Sequence, residues 1–253
     1  MSPDMRAALK AAAALFPAAI ISGRGLDKVT SFVQLEELYY AGSHGLDIAG
    51  PRWCSDSSSA GAPPSSPSPP ALLHQPVPWA VDLMDSVHDA LQEGVRHIEG
   101  ASVEHNKFCV SVHYRQCPDR WPEVEAAVQA AVERHERLHI TRGRKVYEVR
   151  PNVEWDKGKA LLFLSAELGL GPVEGGGVRA GGVCTIYMGD DVSDEDAFRT
   201  LAATGLGIGI LVTSRVKETA ARYTLRDPEE VQAFLWRLVD LGNRRNKQTS
   251  GQG

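Results

Sequence analysis

Ile186-Tyr187-Met188-Gly189-Asp190-Asp191-Val192-Ser193-Asp194-Glu195-Asp196 is the stretch on which the fold turns. The apolar run from Val183 to Met188 has the length and β-branching of a buried strand. It stops at Gly189. Five acidic residues then fall within seven positions, and a helical pattern runs from Asp194 through Leu201. The carboxylates therefore sit where a parallel strand ends and a helix begins. That is the side of an open α/β sheet on which ligands bind. Clustered carboxylates repel one another, and burying them unpaired is unfavourable. A hard divalent cation, most simply Mg²⁺, removes that penalty. A solvated acidic helix start would account for Asp194, Glu195 and Asp196. It does not account for Asp190 and Asp191 directly behind a buried strand.

Downstream of this stretch, Leu206 to Val212 reads as another buried strand. Its glycines lack the G-x-G-x-x-G spacing of a dinucleotide site, so close backbone packing explains them better. Pro228 starts a last helix to about Leu241, and the polar tail 244–253 is expected to be disordered. Upstream, Trp155-Asp156-Lys157-Gly158-Lys159-Ala160 opens a helix to about Leu168, and 171–182 is a glycine-rich loop. Near the N-terminus, Ser2-Pro3 caps an alanine-rich helix. Ala18 to Ile21 is a short strand ending in Ser22-Gly23-Arg24, whose hydroxyl, backbone N–H and glycine suit a phosphate. The same tripeptide is common loop punctuation. Tyr39 to Ser43 is the next strand, and His44 reads as a structural loop residue.

Between these α/β segments the order of elements changes. Residues 51–76 are Ser/Pro-rich and read as a linker or insertion. Residues 77–151 then run helix, two strands, helix, two strands. The last two strands flank the turn Arg142-Gly143-Arg144-Lys145. The expectation is an α/β core from 1–50 and 152–243 with an inserted α+β unit.

The chain has 253 residues, 43% of them hydrophobic and 23% charged, the range of a soluble globular protein. A net charge of −5 argues against general nucleic-acid or membrane-surface binding. Cys54, Cys109, Cys117 and Cys184 form no C-x-x-C pair, which argues against a zinc site or disulfide framework. Reduced thiols point to an intracellular compartment, with the cytoplasm first and the plastid and nucleus left open. The sequence contains no run long enough for a membrane span.

Together the pieces resemble the haloacid dehalogenase superfamily of phosphotransferases, and within it the plant trehalose-6-phosphate phosphatases. The runs carrying the likeness are AIISGRGLDKVTSFVQLEELYYAGSHGLDIAGP, KFCVSVHYR, GRKVYEVRP, WDKGKALLFL and IYMGDDVSDEDAF. The resemblance implies a Rossmann-like parallel-sheet core with an α+β cap. It implies Mg²⁺-dependent hydrolysis of trehalose 6-phosphate to trehalose and phosphate, through an aspartyl-phosphate. It implies that Ser22 holds the phosphoryl group, with Gly23 and Arg24 beside it, and that Lys157 supplies a fixed positive charge. Asp190 would coordinate Mg²⁺, with Asp191 and Asp194 behind it or reaching it through water. Arg142, Arg144, Lys145 and Glu148 lie on the cap hairpin, where the disaccharide is read. From the residues alone, Lys157 also fits a solvated helix start, the hairpin cations a charged turn, and Glu148 a surface position.

One departure matters. The family's first motif, Asp-x-Asp-Gly-Thr, carries the nucleophile, and this sequence has none. Its only Asp-x-Asp is Asp194-Glu195-Asp196. The expectation is a chain beginning downstream of that strand, with little or no turnover. A non-catalytic relative that binds sugar phosphate or a partner is the other reading.

Overall fold

The computed structural model describes residues 1–51, 73–170 and 183–250. In chain order, α1 (Pro3–Ala13) is capped by Ser2, whose hydroxyl accepts from the Met5 amide. β1 (Ala19–Ile21), α2 (Leu26–Val33) and β2 (Tyr39–Gly42) follow, then β3 (Asp47–Ala49) and β4 (Leu73–His74). Next come α3 (Val81–Val95), β5 (Ser102–His105), β6 (Val110–His113), α4 (Trp121–Val132), β7 (Leu138–Gly143) and β8 (Val146–Pro151). The chain continues with α5 (Lys157–Glu167), β9 (Thr185–Gly189), α6 (Asp194–Thr204), β10 (Gly207–Val212), β11 (Tyr223–Leu225) and α7 (Pro228–Ser250). Among the described residues no helix is long and apolar enough to cross a membrane.

The strands form three sheets. β1 and β2 are parallel, and β3 and β4 extend that sheet antiparallel in the order β1-β2-β3-β4. β9, β10 and β11 are all parallel, in the order β11-β10-β9. The third sheet is antiparallel, β5-β6-β8-β7, and α3 and α4 cover one of its faces. Its core is built from Met84, Val87, Leu91, Val110, Val112, Val124, Val128, Tyr147 and Val149. Strand alternation sends the remaining residues, Ser111, Glu148 and Arg150 among them, to the other face.

The two parallel groups share helical cover. Met188 of β9 packs with the α1/α7 cluster around Ala8, Ala12, Leu235 and Val239. Ile21 of β1 and Tyr187 of β9 pack on one α5/α6 cluster around Leu161, Ala197 and Leu201. Helices thus lie on both faces of a doubly wound arrangement. Among the described residues, however, no backbone ladder joins β1 to β9, and each ends its sheet.

Several element boundaries differ from the sequence reading. The tail is helical as far as Ser250, because residues 229–250 contain no proline and Leu235 and Val239 anchor the helix on α1. Gly242 helps, since Phe16 Cζ would lie 2.9 Å from a Cβ placed there. α4 ends at Val132 rather than Arg137. Leu73 and His74, expected within the linker, pair with β3. β3, β4 and β11 have two or three residues each, too few for a periodic signal. Residues 52–72, 171–182 and 251–253, which hold most of the expected linker, the glycine-rich loop and the end of the tail, lie outside the described residues.

Candidate active site

The acidic stretch folds around Asp194. This carboxylate is buried at the start of α6 and turned back beneath the end of β9. Its Oδ1 accepts from Lys157 Nζ at 2.7 Å and from the Tyr187 hydroxyl at 2.7 Å. Its Oδ2 accepts from the backbone amides of Asp190 at 3.0 Å and Asp191 at 2.9 Å. Four donors thus meet one carboxylate. Burial works against its ionisation, but the Lys157 charge and these hydrogen bonds outweigh that and lower its pKa. Burial and the adjacent Asp194 charge push the Tyr187 phenol well up, so it stays a neutral donor. Gly189 makes the fold-back feasible, because a Cβ there would lie 2.3 Å from the Asp194 carboxyl carbon.

Asp194 is therefore placed to hold the loop rather than to face an ion. Asp190 and Asp191 lie exposed at the strand end. Asp191 Oδ1 accepts from the Val192 amide at 2.7 Å, and Lys217 Nζ donates to the Asp190 carbonyl at 3.1 Å. No hydrogen bond ties down the Asp190 carboxylate among the described residues. One or two carboxylates on an ordered loop, with room for water, suit Mg²⁺, which keeps much of its hydration.

Lys157 is the first residue of α5 and is itself buried, 6% exposed, which overturns the solvated-lysine alternative. Asp156 caps this helix through the Lys159 amide at 2.8 Å. Gly158 lets α5 approach α6, since a Cβ would meet Thr200 Oγ1 at 2.2 Å.

The Ser22 loop lies on the same side. Ser22 donates its amide to the Ala41 carbonyl, and its carbonyl accepts from the His44 amide. Its Oγ accepts from the Arg24 amide at 3.2 Å. Gly23 is required here by its packing. The His44 ring lies on it, and a Cβ would sit 2.6 Å from Cε1 and Nε2. Arg24 lies over the Phe32 ring, 5.9 Å from its centroid, on the exposed side of α2.

His44 also faces the third sheet. Its Nε2 lies 3.4 Å from Glu148 Oε1 and 2.7 Å from Arg150 Nη2, and Arg150 donates to Glu148 Oε2 as well. Burial opposes ionisation of Glu148. His44 and Arg150 more than offset that and bring its carboxyl down to about 2. Burial lowers the His44 pKa, helped by the Arg150 and Lys157 charges and opposed by Glu148. Lys157 thus acts electrostatically on the residue that touches both Gly23 and the hairpin strand. Ser22, Lys157 and Glu148 all bear on one residue, His44, the first through its backbone amide and the others through its ring. Sequence reasoning took His44 for a structural loop residue and passed over Arg150. Alternation from Glu148 to Arg150 was a signal that could have found the second.

The other hairpin cations separate. Arg142 pairs with Tyr147 in the β7–β8 register and lies over the rings of Trp121, at 4.9 Å, and Tyr147, at 5.5 Å. It is on the face opposite Glu148, which corrects the expectation that it reads the sugar. Arg144 and Lys145 are exposed at the turn, where Lys145 takes a left-handed φ of 65°. His44, Cys109 and Glu148 offer potential ligand atoms within 4.8 Å of one another. Arg150 already fills the cationic position, and burial holds the Cys109 thiol at about 12, so the group is not suited to a metal. A cleft of about 800 Å³ between α2 and α3, reaching Asp47 and Lys107, contains none of the predicted residues.

A trehalose-phosphatase family model matches residues 1–229. The chain belongs to the trehalose-phosphatase family. "Probable trehalose-phosphate phosphatase 4" of Oryza sativa subsp. japonica is 46% identical over 242 residues, covering 95% of this chain and 60% of the relative. "Trehalose-phosphate phosphatase B" of Arabidopsis thaliana is 43% identical, covering 94% of this chain and 60% of the relative. The chain thus spans about 60% of the length of these curated relatives. A solved trehalose-6-phosphate phosphatase related protein matches the fold with a TM-score of 0.73 at 16% identity, over 97% of this chain and 90% of that one. The C-terminal domain of C. albicans trehalose-6-phosphate phosphatase gives 0.69 at 19% identity, over 94% and 84%. The fold is therefore that of trehalose-phosphatase family members, α/β with an α+β portion.

Proposed function

We propose that this chain carries the charge-neutralising half of a phosphomonoesterase site for trehalose 6-phosphate, the reaction that yields trehalose and phosphate. The observation that carries this reading is the buried Lys157–Asp194–Tyr187 group, which sets a fixed ammonium beside an ordered Asp190 loop. Phosphoryl transfer requires mainly positioning and neutralisation of the phosphoryl oxygens. Mg²⁺ held by Asp190, with Asp191 close by, supplies part of that neutralisation when bound. Lys157 supplies a second positive charge, pre-oriented because its partner is pinned by three other donors. Ser22 offers a hydroxyl at the end of β1. Residues 77–151 act as a cap over a core made from 1–50 and 152–243. Glu148 presents a carboxylate for sugar hydroxyls, and Arg144 and Lys145 line the cap's turn.

The sequence contains no Asp-x-Asp-Gly-Thr, and Asp191 and Asp194 sit on the metal's own loop, wrongly placed for in-line attack. The 253-residue chain is therefore expected to release phosphate negligibly, since losing a nucleophile elsewhere costs on the order of 10⁶ in turnover. The test is phosphate release from trehalose 6-phosphate with Mg²⁺. The chain is run beside a version extended at its N-terminus by a strand bearing that motif. Turnover confined to the extended protein supports the reading. Equal turnover in both overturns the assignment of roles. Binding of trehalose 6-phosphate with turnover in neither favours the non-catalytic alternative.

A further inference from the structure

Resting on that reading, we propose that His44 is a positioning residue for sugar recognition: as a neutral acceptor for Arg150 it leaves Glu148 Oε1 free to accept a substrate hydroxyl. A guanidinium has only donors. Arg150 Nη2 lies 2.7 Å from His44 Nε2, so that nitrogen must present its lone pair, and the proton of the neutral ring sits on Nδ1. Glu148 Oε1, 3.4 Å from the same Nε2, then faces an acceptor and receives no proton from it. Arg150 engages the other oxygen, Oε2. The carboxylate is thus oriented by one oxygen and unsatisfied at the other. Its side chain keeps 20% exposure while that of His44 keeps 8%. His44 Nδ1 and Arg150 Nε are buried without hydrogen-bond partners, and the ring packs directly on Gly23.

Protonation reverses the arrangement. An Nε2–H faces two neighbours with opposite demands. It repels the Arg150 guanidinium and donates to Glu148 Oε1, closing the free oxygen. The charged and titratable groups around the ring are Glu148 and Arg150 from β8, Lys157 from α5, and Cys109, whose thiol stays protonated. The ring pKa lies below its ordinary value. Its neutral form is therefore fully present at and above about pH 6.5 and is lost only as the pH falls through the lowered value. Sugar affinity follows the same course. Glu148, whose carboxyl the Arg150 guanidinium holds low, contributes no titration in this window.

Two measurements on the 253-residue chain test this. Nitrogen-15 spectroscopy of the histidines, with His44 assigned through H44Q, reads the tautomer without any sugar. A proton on Nδ1 at pH 7.5 is expected, and a proton on Nε2 overturns the proposal by itself. Calorimetric titration with trehalose, which needs neither nucleophile nor metal, reads the function between pH 7.5 and 5. Wild-type affinity is expected to fall in acid. H44L should bind about tenfold more weakly at pH 7.5, the loss of one buried hydrogen bond. H44Q, whose carbonyl oxygen can accept from Arg150 and cannot titrate, should recover most of that affinity without the acid loss. An acid loss unchanged in H44Q overturns the proposal. A correct tautomer with no trehalose binding by wild type at any pH overturns the sugar role and the trehalose reading, while leaving the Arg150 contact standing. Melting curves and amide spectra of both variants separate misfolding from lost affinity.

Discussion

Lys157 and Asp194 each have more than nine-tenths of their side-chain surface removed from water, so each depends on the other's charge. Removing one partner of such a pair leaves an uncompensated charge in a poorly polarisable place. We expect Lys157→Met to destabilise the chain by on the order of 3 kcal/mol at pH 7. The sign of the pH effect follows from Asp194. A carboxyl whose pKa is lowered on folding contributes stability above its unfolded value, and that contribution fades as the pH falls through the folded one. Without Lys157, burial raises that pKa and protonation relieves the penalty. The K157M deficit should therefore be largest at neutral pH and smaller at pH 4, as measured by urea unfolding. A deficit that does not vary with pH would place the pair's role in packing. Asp190→Asn is the complementary case, an exposed residue whose loss should leave stability alone but weaken Mg²⁺ binding in a calorimetric titration. The carboxylate cluster at the end of the strand was legible because mutual repulsion disfavours acidic residues packed directly behind an apolar run unless a cation neutralises them. The burial of Lys157 was not. Nothing local to Trp155-Asp156-Lys157 announces that Tyr187 and Asp194 will fold over it.

β8 shows how an element sorts its residues. Tyr147 and Val149 turn to the helices, and Glu148 and Arg150 turn to His44. The first alternation could be read from the sequence. Arg142 could not be placed, because its face depends on the register of β7, set by Gly143 opposite Val146 and by Trp121 on α4. Glu148→Gln should weaken trehalose binding about tenfold or more, the usual loss for a hydrogen bond to a charged group. Arg142→Ala should leave binding intact and lower stability by about 0.5–1 kcal/mol, the range of an exposed cation–π contact. Titration and thermal melts of the two variants would show the reverse pattern if the hairpin were turned over. The Ser22 loop follows the same logic. Gly23→Ala would drive a methyl into the His44 ring, and its effect should appear as a melting-temperature loss of the kind overpacking gives, about 1–3 kcal/mol.

At the scale of the molecule, the described strands make two parallel groups that share one helical cover. The chain order of strands and helices foretold the α/β class and the α+β unit, because a switch from period two to period three and a half is visible over long elements. It did not foretell β3, β4 or β11, or a C-terminal helix carried on by polar residues, since these depend on partners elsewhere in the chain. The gap between the groups is directly measurable. Ser22 donates to β2 and Thr185 to β10, so alternation turns the amides of Ala19, Ile21, Ile186 and Met188 outward. Hydrogen exchange should find these four fast beside protected Ile20 and Tyr187, and equal protection would mean the gap is closed. The open edges have a practical consequence. β1 and β9 contain neither charge nor proline, the devices by which lone strands avoid one another. Concentrated stocks of this chain should cloud on standing while dilute ones stay clear, and light scattering against concentration would register the onset. Ile186→Lys should delay that onset more than Val216→Lys, a change at an already exposed position outside the strands.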